Sequence, residues 1–159
     1  MEDQEKKKKK VMVAIDQSEY SRYALEWALE NLHDSIANNH LLIFTVQPIS
    51  DYSYLQASAY GATPPELIRN IQENQKKVAL NLLDQAKDLC NKYGITAETM
   101  TEVGDPKELI YEAVEKLKVQ LLVLGSSSRG FLKRAFLGSV SNHCVQNVKC
   151  PVLVVKKTV

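Results

Sequence analysis

Short apolar runs alternate with longer amphipathic stretches along the whole chain. Four of the runs, at 11–15, 41–46, 119–124 and 151–155, are almost uninterrupted, and a fifth, at 96–101, alternates in polarity. Continuous runs of this length are typical of strands that are buried on both faces, and alternation is typical of strands with one exposed face. The pattern therefore predicts five strands.

The intervals between the predicted strands carry helical periodicity and residues that suit helix boundaries. Ser18 can cap a first helix, and Pro64-Pro65 can open a second, long one. Gly104-Asp105-Pro106 forms a turn into a third helix. Ser139 or Ser141 is expected to cap the last helix.

Strands and helices alternate from one end to the other, which predicts an α/β fold. Such a chain forms an open five-stranded parallel sheet with helices on both faces, a three-layer sandwich with right-handed crossovers. The chain has 159 residues, 45% of them hydrophobic, which is enough for one core. We expect one domain at 11–159 after a lysine-rich tail at 1–10, with no second domain.

The balance of charge argues against nucleic acid and against a membrane as a partner. The formal net charge is +1, and residues 1–10 hold five lysines and three acids, so the rest of the chain is near −1. The run Lys6–Lys10 permits two interpretations, a nuclear-localisation or membrane-surface patch and a solvated tail. The second is favoured, because an isolated lysine run is a weak signal. No apolar run reaches the roughly 18 residues that a membrane span requires.

The expected location is the cytoplasm, with the nucleus as an alternative. The first ten residues lack the apolar core of a secretory signal. Cys90, Cys144 and Cys150 are odd in number and lack the spacing of a metal site. This indicates reduced thiols in an intracellular protein.

The stretch after the fourth predicted strand has the composition of an anion site built from backbone amides. It begins with Gly125 and the serines at 126–128, and the next helix starts near Gly138-Ser139, with Lys133 and Arg134 between. Glycine admits positive φ and a close backbone approach, serine adds hydroxyl donors, and a helix N-terminus adds oriented amides. A phosphate site is therefore predicted. The alternative is a serine-rich loop with basic residues on its surface.

Three segments end predicted strands and would meet in the crevice where open α/β sheets bind ligands. They are Ala14-Ile15-Asp16, Thr45-Val46-Gln47 and Gly125–Ser128. Asp16 has two interpretations: a polar residue that leads into the helix, or a carboxylate that accepts hydrogen bonds from ribose hydroxyls or helps to hold a metal ion. Its place directly after a buried strand favours the second. At Gly104 a turn is the primary interpretation and a ligand contact the secondary one.

These residues together resemble a universal stress protein of the plant type. The resemblance rests on Asp16 with Ser18 and Ala24-Leu25, on Gly104-Asp105-Pro106, and on the stretches GSSSRGFLKRAFLGSVSNHCV and CPVLVVKK. It covers residues 10–157 and implies a single UspA-like domain with a Rossmann-like fold of the nucleotide-binding α-hydrolase-like type. Its most specific part is the pattern Gly-x2-Gly-x9-Gly-Ser/Thr, with which nucleotide-binding members of that family hold the phosphates and ribose of ATP or AMP.

The chain departs from that pattern at the middle glycine. Gly125 matches the first glycine and Gly138-Ser139 the last pair, which leaves Ser128 in the middle. If that position requires positive φ, serine costs roughly 1 kcal/mol there. Gly130 offers the loop a shifted path, and the Ser128 hydroxyl can donate to a phosphate oxygen. Nucleotide binding is therefore expected to survive the substitution in weakened form.

The resemblance also implies roles within the crevice. Asp16 would face the ribose, and adenine would lie near Ala14 and the main chain of Val46. The implied ligand is ATP or AMP, with Mg²⁺ as a candidate companion of the phosphates. The candidate nucleotide-binding residues are Ala14, Ile15, Asp16, Val46, Gly104, Gly125, Ser126, Ser127, Ser128, Gly130, Gly138, Ser139, Val140 and Ser141.

The last predicted strand suits contact with a second chain. Residues Val152–Val155 are apolar and mostly β-branched, and at a sheet edge their unpaired backbone would invite another strand. In the family this strand commonly mediates homodimers. The alternative is that helices or the tail cover it.

Three classes of function remain open at this point. The leading one is an adenine-nucleotide-binding, non-enzymatic regulator of the stress response, which acts through conformation or an unidentified partner protein. The second is a dimeric partner-binding or chaperone-like protein that has lost nucleotide, and Ser128 favours it. The third is an enzyme, ranked last because no Gly-Lys-Ser/Thr follows the glycines and no nucleophile–base pair is found.

Overall fold

The computed structural model of the protein describes residues 8–49, 65–127 and 138–157, and only the backbone at Ser127. Five strands in these residues form one sheet in which every neighbouring pair is parallel, in the order β3-β2-β1-β4-β5. The strands are β1 (Lys10–Ile15), β2 (His40–Gln47), β3 (Ala97–Val103), β4 (Leu121–Ser127) and β5 (Val152–Lys157).

Helices cover both faces of the sheet. They are α1 (Glu19–Asn31), α2 (His33–Ala37), α3 (Pro65–Lys92), α4 (Pro106–Leu117) and α5 (Ser139–Asn147). Helices α1, α2 and α3 lie on one face and α4 and α5 on the other. The predicted three-layer α/β sandwich with five parallel strands is confirmed. The short helix α2 was not predicted.

The central strand β1 is buried on both faces, as its uninterrupted apolar run predicts. Val11, Val13 and Ile15 belong to the core beneath α1 and α3, whereas Met12 belongs to the core beneath α4 and α5. Met12 and Val13 have no exposed surface at all. Burial of this kind is the main favourable term in folding. The buried run ends at Ile15, so Asp16 leaves the sheet directly after β1.

Three of the predicted helix boundaries are confirmed. Helix α3 begins at Pro65. Ser18 is the N-cap of α1, and its Oγ accepts the Ser21 amide N–H at 3.4 Å. Asp105 caps α4 by accepting the Lys107 amide N–H at 3.0 Å, so 104–106 is indeed a turn into that helix. The prediction for the last helix was wrong. Its N-cap is Gly138, with φ −53° and ψ 161°, and no side chain caps it.

Strand β4 runs further than predicted. Gly125, Ser126 and Ser127 pair with Val155, Lys156 and Lys157 of β5, so they belong to the sheet and not to a loop. Gly125 does not have positive φ, which among the described glycines only Gly94 has. A Cβ built on Gly125 would lie 2.4 Å from the Tyr20 carbonyl oxygen. Gly125 therefore lets the first turn of α1 lie directly against β4.

Candidate functional site

The sheet opens into a crevice where its strand order reverses. Strands β1 and β4 pair only from Val11 to Val13 and from Leu121 to Val123, whereas β4 continues beside β5 to Ser127. The carboxyl ends of the two central strands therefore separate, which is the usual ligand position in open α/β sheets. A cavity of about 140 Å³ lies there, lined by Ala14, Ile15, Asp16, Ser21, Phe44, Val46, Pro106, Ile110, Leu124, Gly125, Val140 and Ser141.

Asp16 is held in place by the residues that follow it. Its Oδ1 accepts the Ser18 amide N–H at 2.8 Å and also the Ser18 hydroxyl. Ser21 Oγ lies 3.1 Å from Oδ1, and the same Oγ accepts the Asp16 amide N–H at 3.1 Å. The side chain is exposed, and no residue that the structure describes donates to Oδ2. The helix-entry interpretation of Asp16 is therefore supported, because Oδ1 shapes the start of α1. Contact of Asp16 with a ribose or a metal ion stays a prediction.

Two buried hydroxyls fix the crevice, and the sequence analysis assigned a role to neither of them. Ser21 is 5% exposed and binds both the amide and the carboxylate of Asp16. Thr45 is 3% exposed, and its Oγ1 donates to the Ile15 carbonyl at 2.7 Å, which joins the ends of β1 and β2. The spacing Asp16-x-Ser18-x2-Ser21 was a local signal for the first. Thr45 was named only as part of the segment that ends the second strand.

The N-terminus of α5 borders the crevice, and no side chain of the described residues caps it. The first intrahelical bond runs from the Asn142 amide N–H to the Gly138 carbonyl at 2.9 Å. The amides of Ser139, Val140 and Ser141 come before it and so have no acceptor within the helix. Oriented amides and the helix dipole make such an end a site for anions. Val140 and Ser141 line the 140 Å³ cavity directly.

Ser126 carries a buried hydroxyl without a hydrogen-bond partner. The residue is 5% exposed, and its Oγ is the unpartnered buried side-chain atom among the described residues. Strand alternation places Ser126 on the same face of β4 as Leu124, which lines the cavity, and nearer the end of the strand. A buried hydroxyl left unbonded costs about 1–3 kcal/mol. A ligand oxygen in the crevice would give it an acceptor.

Gly104 is not part of the lining. Its amide N–H donates to the Gln47 carbonyl at 3.0 Å, and a Cβ built on it would lie 2.6 Å from Leu109 Cδ1. The structure thus supports the turn and packing interpretation of Gly104. Four positions singled out in the sequence lie outside the described residues: Ser128, Gly130, Lys133 and Arg134.

A second and larger cavity adjoins the first. It has a volume of about 830 Å³ and shares Asp16, Val46 and Pro106 with the smaller one. Its floor is the end of β2, and its far wall is the first half of α3. The remaining lining residues are Gln17, Ser18, Thr45, Gln47, Pro48, Asn70, Ile71, Asn74, Gln75, Val78 and Ala79.

The cysteines and the potential metal ligands form no reactive or ligating group in the described residues. Burial raises the pKa of the Cys90 and Cys144 thiols to about 11, so both stay protonated and are poor nucleophiles at neutral pH. Within residues 8–49, 65–127 and 138–157, no group of three side chains could hold a metal ion. No helix in these ranges is long and apolar enough to cross a membrane.

Comparisons with known proteins agree with the fold. The model of the universal stress protein family matches residues 8–156. A universal stress protein A-like protein from Arabidopsis thaliana is 29% identical over 93% of this chain and 90% of its own length. The universal stress protein YxiE from Bacillus subtilis is 33% identical over 92% and 98%.

Two solved structures add information about ligands of similar proteins. A universal stress protein family protein from Arabidopsis thaliana with AMP bound matches with a TM-score of 0.68 and 29% identity, over 94% of this chain and 92% of that one. A universal stress protein in complex with cAMP matches with a TM-score of 0.60 and 25% identity, over 92% and 95%.

Proposed function

Because the chain belongs to the universal stress protein family, we propose that it binds ATP or AMP in the crevice between β1 and β4. Bound nucleotide would set its conformation or its affinity for a regulatory partner in the stress response. Two similar structures hold AMP and cAMP, which supports an adenine nucleotide as the ligand. The nucleotide-free alternative is less favoured, because the crevice keeps unsatisfied donors.

One observation carries the proposal. The uncapped start of α5 borders the smaller cavity through Val140 and Ser141. The unpartnered hydroxyl of Ser126 is on the face of β4 that carries Leu124, which lines the same cavity. The amides supply oriented donors and the hydroxyl supplies another, which is what phosphate oxygens require. The chain bears the cost of one unbonded buried hydroxyl in the free protein. Binding of a phosphate would remove that cost.

The rest of the nucleotide follows from this placement. With its phosphates at α5, the ribose reaches Asp16, whose Oδ2 can accept a hydrogen bond from a ribose hydroxyl. The base then lies above Ala14 and Val46, both of which line the smaller cavity. Of the fourteen candidate residues, Ser128 and Gly130 are left open, and Gly104 would support the turn and not touch the ligand.

The proposed activity is binding and not catalysis. The chain lacks the Gly-Lys-Ser/Thr of a P-loop, so at most weak ATP hydrolysis is expected. A magnesium ion would enter as the counter-ion of the nucleotide phosphates.

The proposal extends to assembly and location. Strand β5 is at the edge of the sheet, and Val152, Leu153 and Val154 are only partly buried. Its free edge can pair with β5 of a second copy, which supports a homodimer through Val152–Val155. The three free cysteines support a reducing compartment, and the cytoplasm is the location we propose.

Isothermal titration calorimetry tests the proposal directly. The protein, freed of co-purified nucleotide, is titrated with ATP and with AMP, each with and without Mg²⁺. We expect saturable binding with a Kd of about 1–100 μM, which corresponds to about 5.5–8 kcal/mol. If neither ATP nor AMP at about 1 mM gave a heat of binding, nucleotide binding would be refuted. A Kd above that concentration is too weak for a regulator.

Replacing Ser126 by alanine should change stability and affinity in opposite directions. Removing an unbonded buried hydroxyl is expected to raise the free energy of unfolding of the ligand-free protein by about 1 kcal/mol. The same change removes a donor to the phosphates, so the affinity for ATP should fall about fivefold. Thermal unfolding and calorimetry measure the two effects. Ser35→Ala, at an exposed serine of α2, is the control and should alter neither. A purely structural Ser126 would lose stability on substitution and leave the affinity unchanged.

A further inference from the structure

The wall that α3 contributes to the 830 Å³ cavity carries two asparagine side chains. Asn70 and Asn74 lie four residues apart on α3 and so project from the same face of the helix. Both line the 830 Å³ cavity together with Val46 and Asp16. Both side chains are exposed, and neither makes a hydrogen bond with another residue that the structure describes. Two amides with free donors and acceptors therefore face the end of β2.

Apolar side chains surround these amides. Ile71, Val78 and Ala79 of α3 line the same cavity, and Val46 and Pro48 lie on the side of β2. Val78 is 36% exposed, which is high for a valine that lines a cavity. Apolar walls with a few converging polar groups are typical of sites for planar organic ligands. A flat ring between the end of β2 and α3 would cover this apolar surface.

The direction of a bound nucleotide brings its base to this wall. This step rests on the proposed function. The phosphates lie at α5, beside β4, and the ribose lies at Asp16, after β1. In the sheet order β2-β1-β4, the ligand continues across β1 toward β2. The two cavities join at Asp16, Val46 and Pro106, so a base that lies above Ala14 and Val46 extends from the smaller cavity into the larger one.

We infer that Asn70 and Asn74 read the edge of the base and select adenine over guanine. A carboxamide presents one donor group beside one acceptor. Adenine offers the complement, an amino group that donates beside a ring nitrogen that accepts, and pairs with asparagine through two hydrogen bonds. The corresponding edge of guanine has two acceptors, O6 and N7, which suit arginine. An asparagine that faces O6 and N7 can donate to only one of them. Its own carbonyl oxygen then lies against the other acceptor, with no hydrogen between the two.

The test is the ratio of the affinities for ATP and GTP. We compare the wild-type protein, the double variant Asn70→Ala/Asn74→Ala, and the control Asn81→Ala, which changes an exposed asparagine of α3 outside both cavities. A good bidentate contact is worth about five- to 100-fold in discrimination. The ratio in the double variant should fall at least fivefold, and Asn81→Ala should preserve it. Both single variants show which amide contributes more.

The outcomes separate this inference from the function on which it rests. If the wild-type protein binds neither nucleotide, the proposed function fails. If it binds ATP and the double variant keeps the wild-type ratio, the role of the α3 amides is refuted while nucleotide binding stands. Equal weakening of ATP and GTP in the double variant also refutes it, because a loss of general packing does not change the ratio. Thermal unfolding of each variant verifies that it is folded.

Discussion

Replacing Gly125 by alanine is expected to destabilise the protein by about 3 kcal/mol, the upper end of the usual cost of overpacking. The added Cβ would lie 2.4 Å from the Tyr20 carbonyl oxygen, 2.6 Å from its carbonyl carbon and 2.8 Å from Ser21 Cα. All three atoms belong to the main chain of α1, so no rotamer change can relieve the clash. For a chain of this size the midpoint of thermal unfolding should fall by about 6–12 °C.

The same substitution should weaken nucleotide binding, because α1 must move away from β4. Ser21 belongs to the displaced turn, and it holds Asp16 through its hydroxyl. Calorimetry should therefore show a lower ATP affinity even at temperatures where the variant is folded.

Gly138→Ala is the matched control for the stability measurement. A Cβ on Gly138 meets no atom of the described residues within 4 Å, and its φ of −53° suits any residue. Alanine is a poorer N-cap than glycine, so we expect a loss of about 0.5 kcal/mol. If Gly125→Ala proved as mild as this control, the close approach of α1 to β4 would not be what requires glycine at 125.

The pattern of apolar runs predicted the fold because its information is local. A strand buried on both faces must be apolar throughout, and β1 shows this directly with Met12 and Val13 fully buried on opposite faces. The ends of the strands were harder. Gly125–Ser127 were predicted to be a loop from the polarity of their side chains, yet they pair with β5. Backbone pairing depends on the neighbouring strand, which here lies 30 residues away in the chain, and not on side-chain polarity alone.

The candidate site was predictable where a residue's role depends on its position in the chain. Asp16 follows a buried strand, and in a parallel sheet that fact alone places it at the carboxyl edge. The role of Gly125 was not predictable, because it depends on α1, which meets β4 only in the folded protein. Asn70 and Asn74 were also missed, since on a long amphipathic helix they resemble any other exposed polar residue.

At the start of α5, the usual preference for a serine N-cap does not hold, and this helix start borders the candidate binding site. Serine is among the preferred N-caps, and Ser139 and Ser141 both stand near the helix start. The structure uses Gly138 instead, with no side-chain hydrogen bond at the cap. A serine cap would occupy one of the first amides. Glycine leaves them all open to a ligand, at a cost of only a few tenths of a kcal/mol.

Replacing Asp16 by asparagine is expected to lower the affinity for ATP by about tenfold or more. Asparagine can still accept the Ser18 amide N–H through Oδ1, so the turn into α1 should persist. What it loses is the charge at Oδ2, and a hydrogen bond to a charged acceptor contributes about 1.5–3 kcal/mol. Calorimetry with ATP and with 2′,3′-dideoxy-ATP completes a double-mutant cycle. The wild-type protein should bind the dideoxy ligand at least tenfold more weakly than ATP, and Asp16→Asn should bind the two almost equally.

Asp105→Asn is the matched control for Asp16→Asn, because Asp105 also caps a helix through Oδ1 but lines neither cavity. It should lose a little stability and no affinity, which separates capping from ligand contact. Suppose instead that Asp16→Asn weakened ATP and its dideoxy analogue by the same factor. The carboxylate would then act on the shape of the α1 turn and not on the ribose, and the ribose would have to be held by other groups of the crevice.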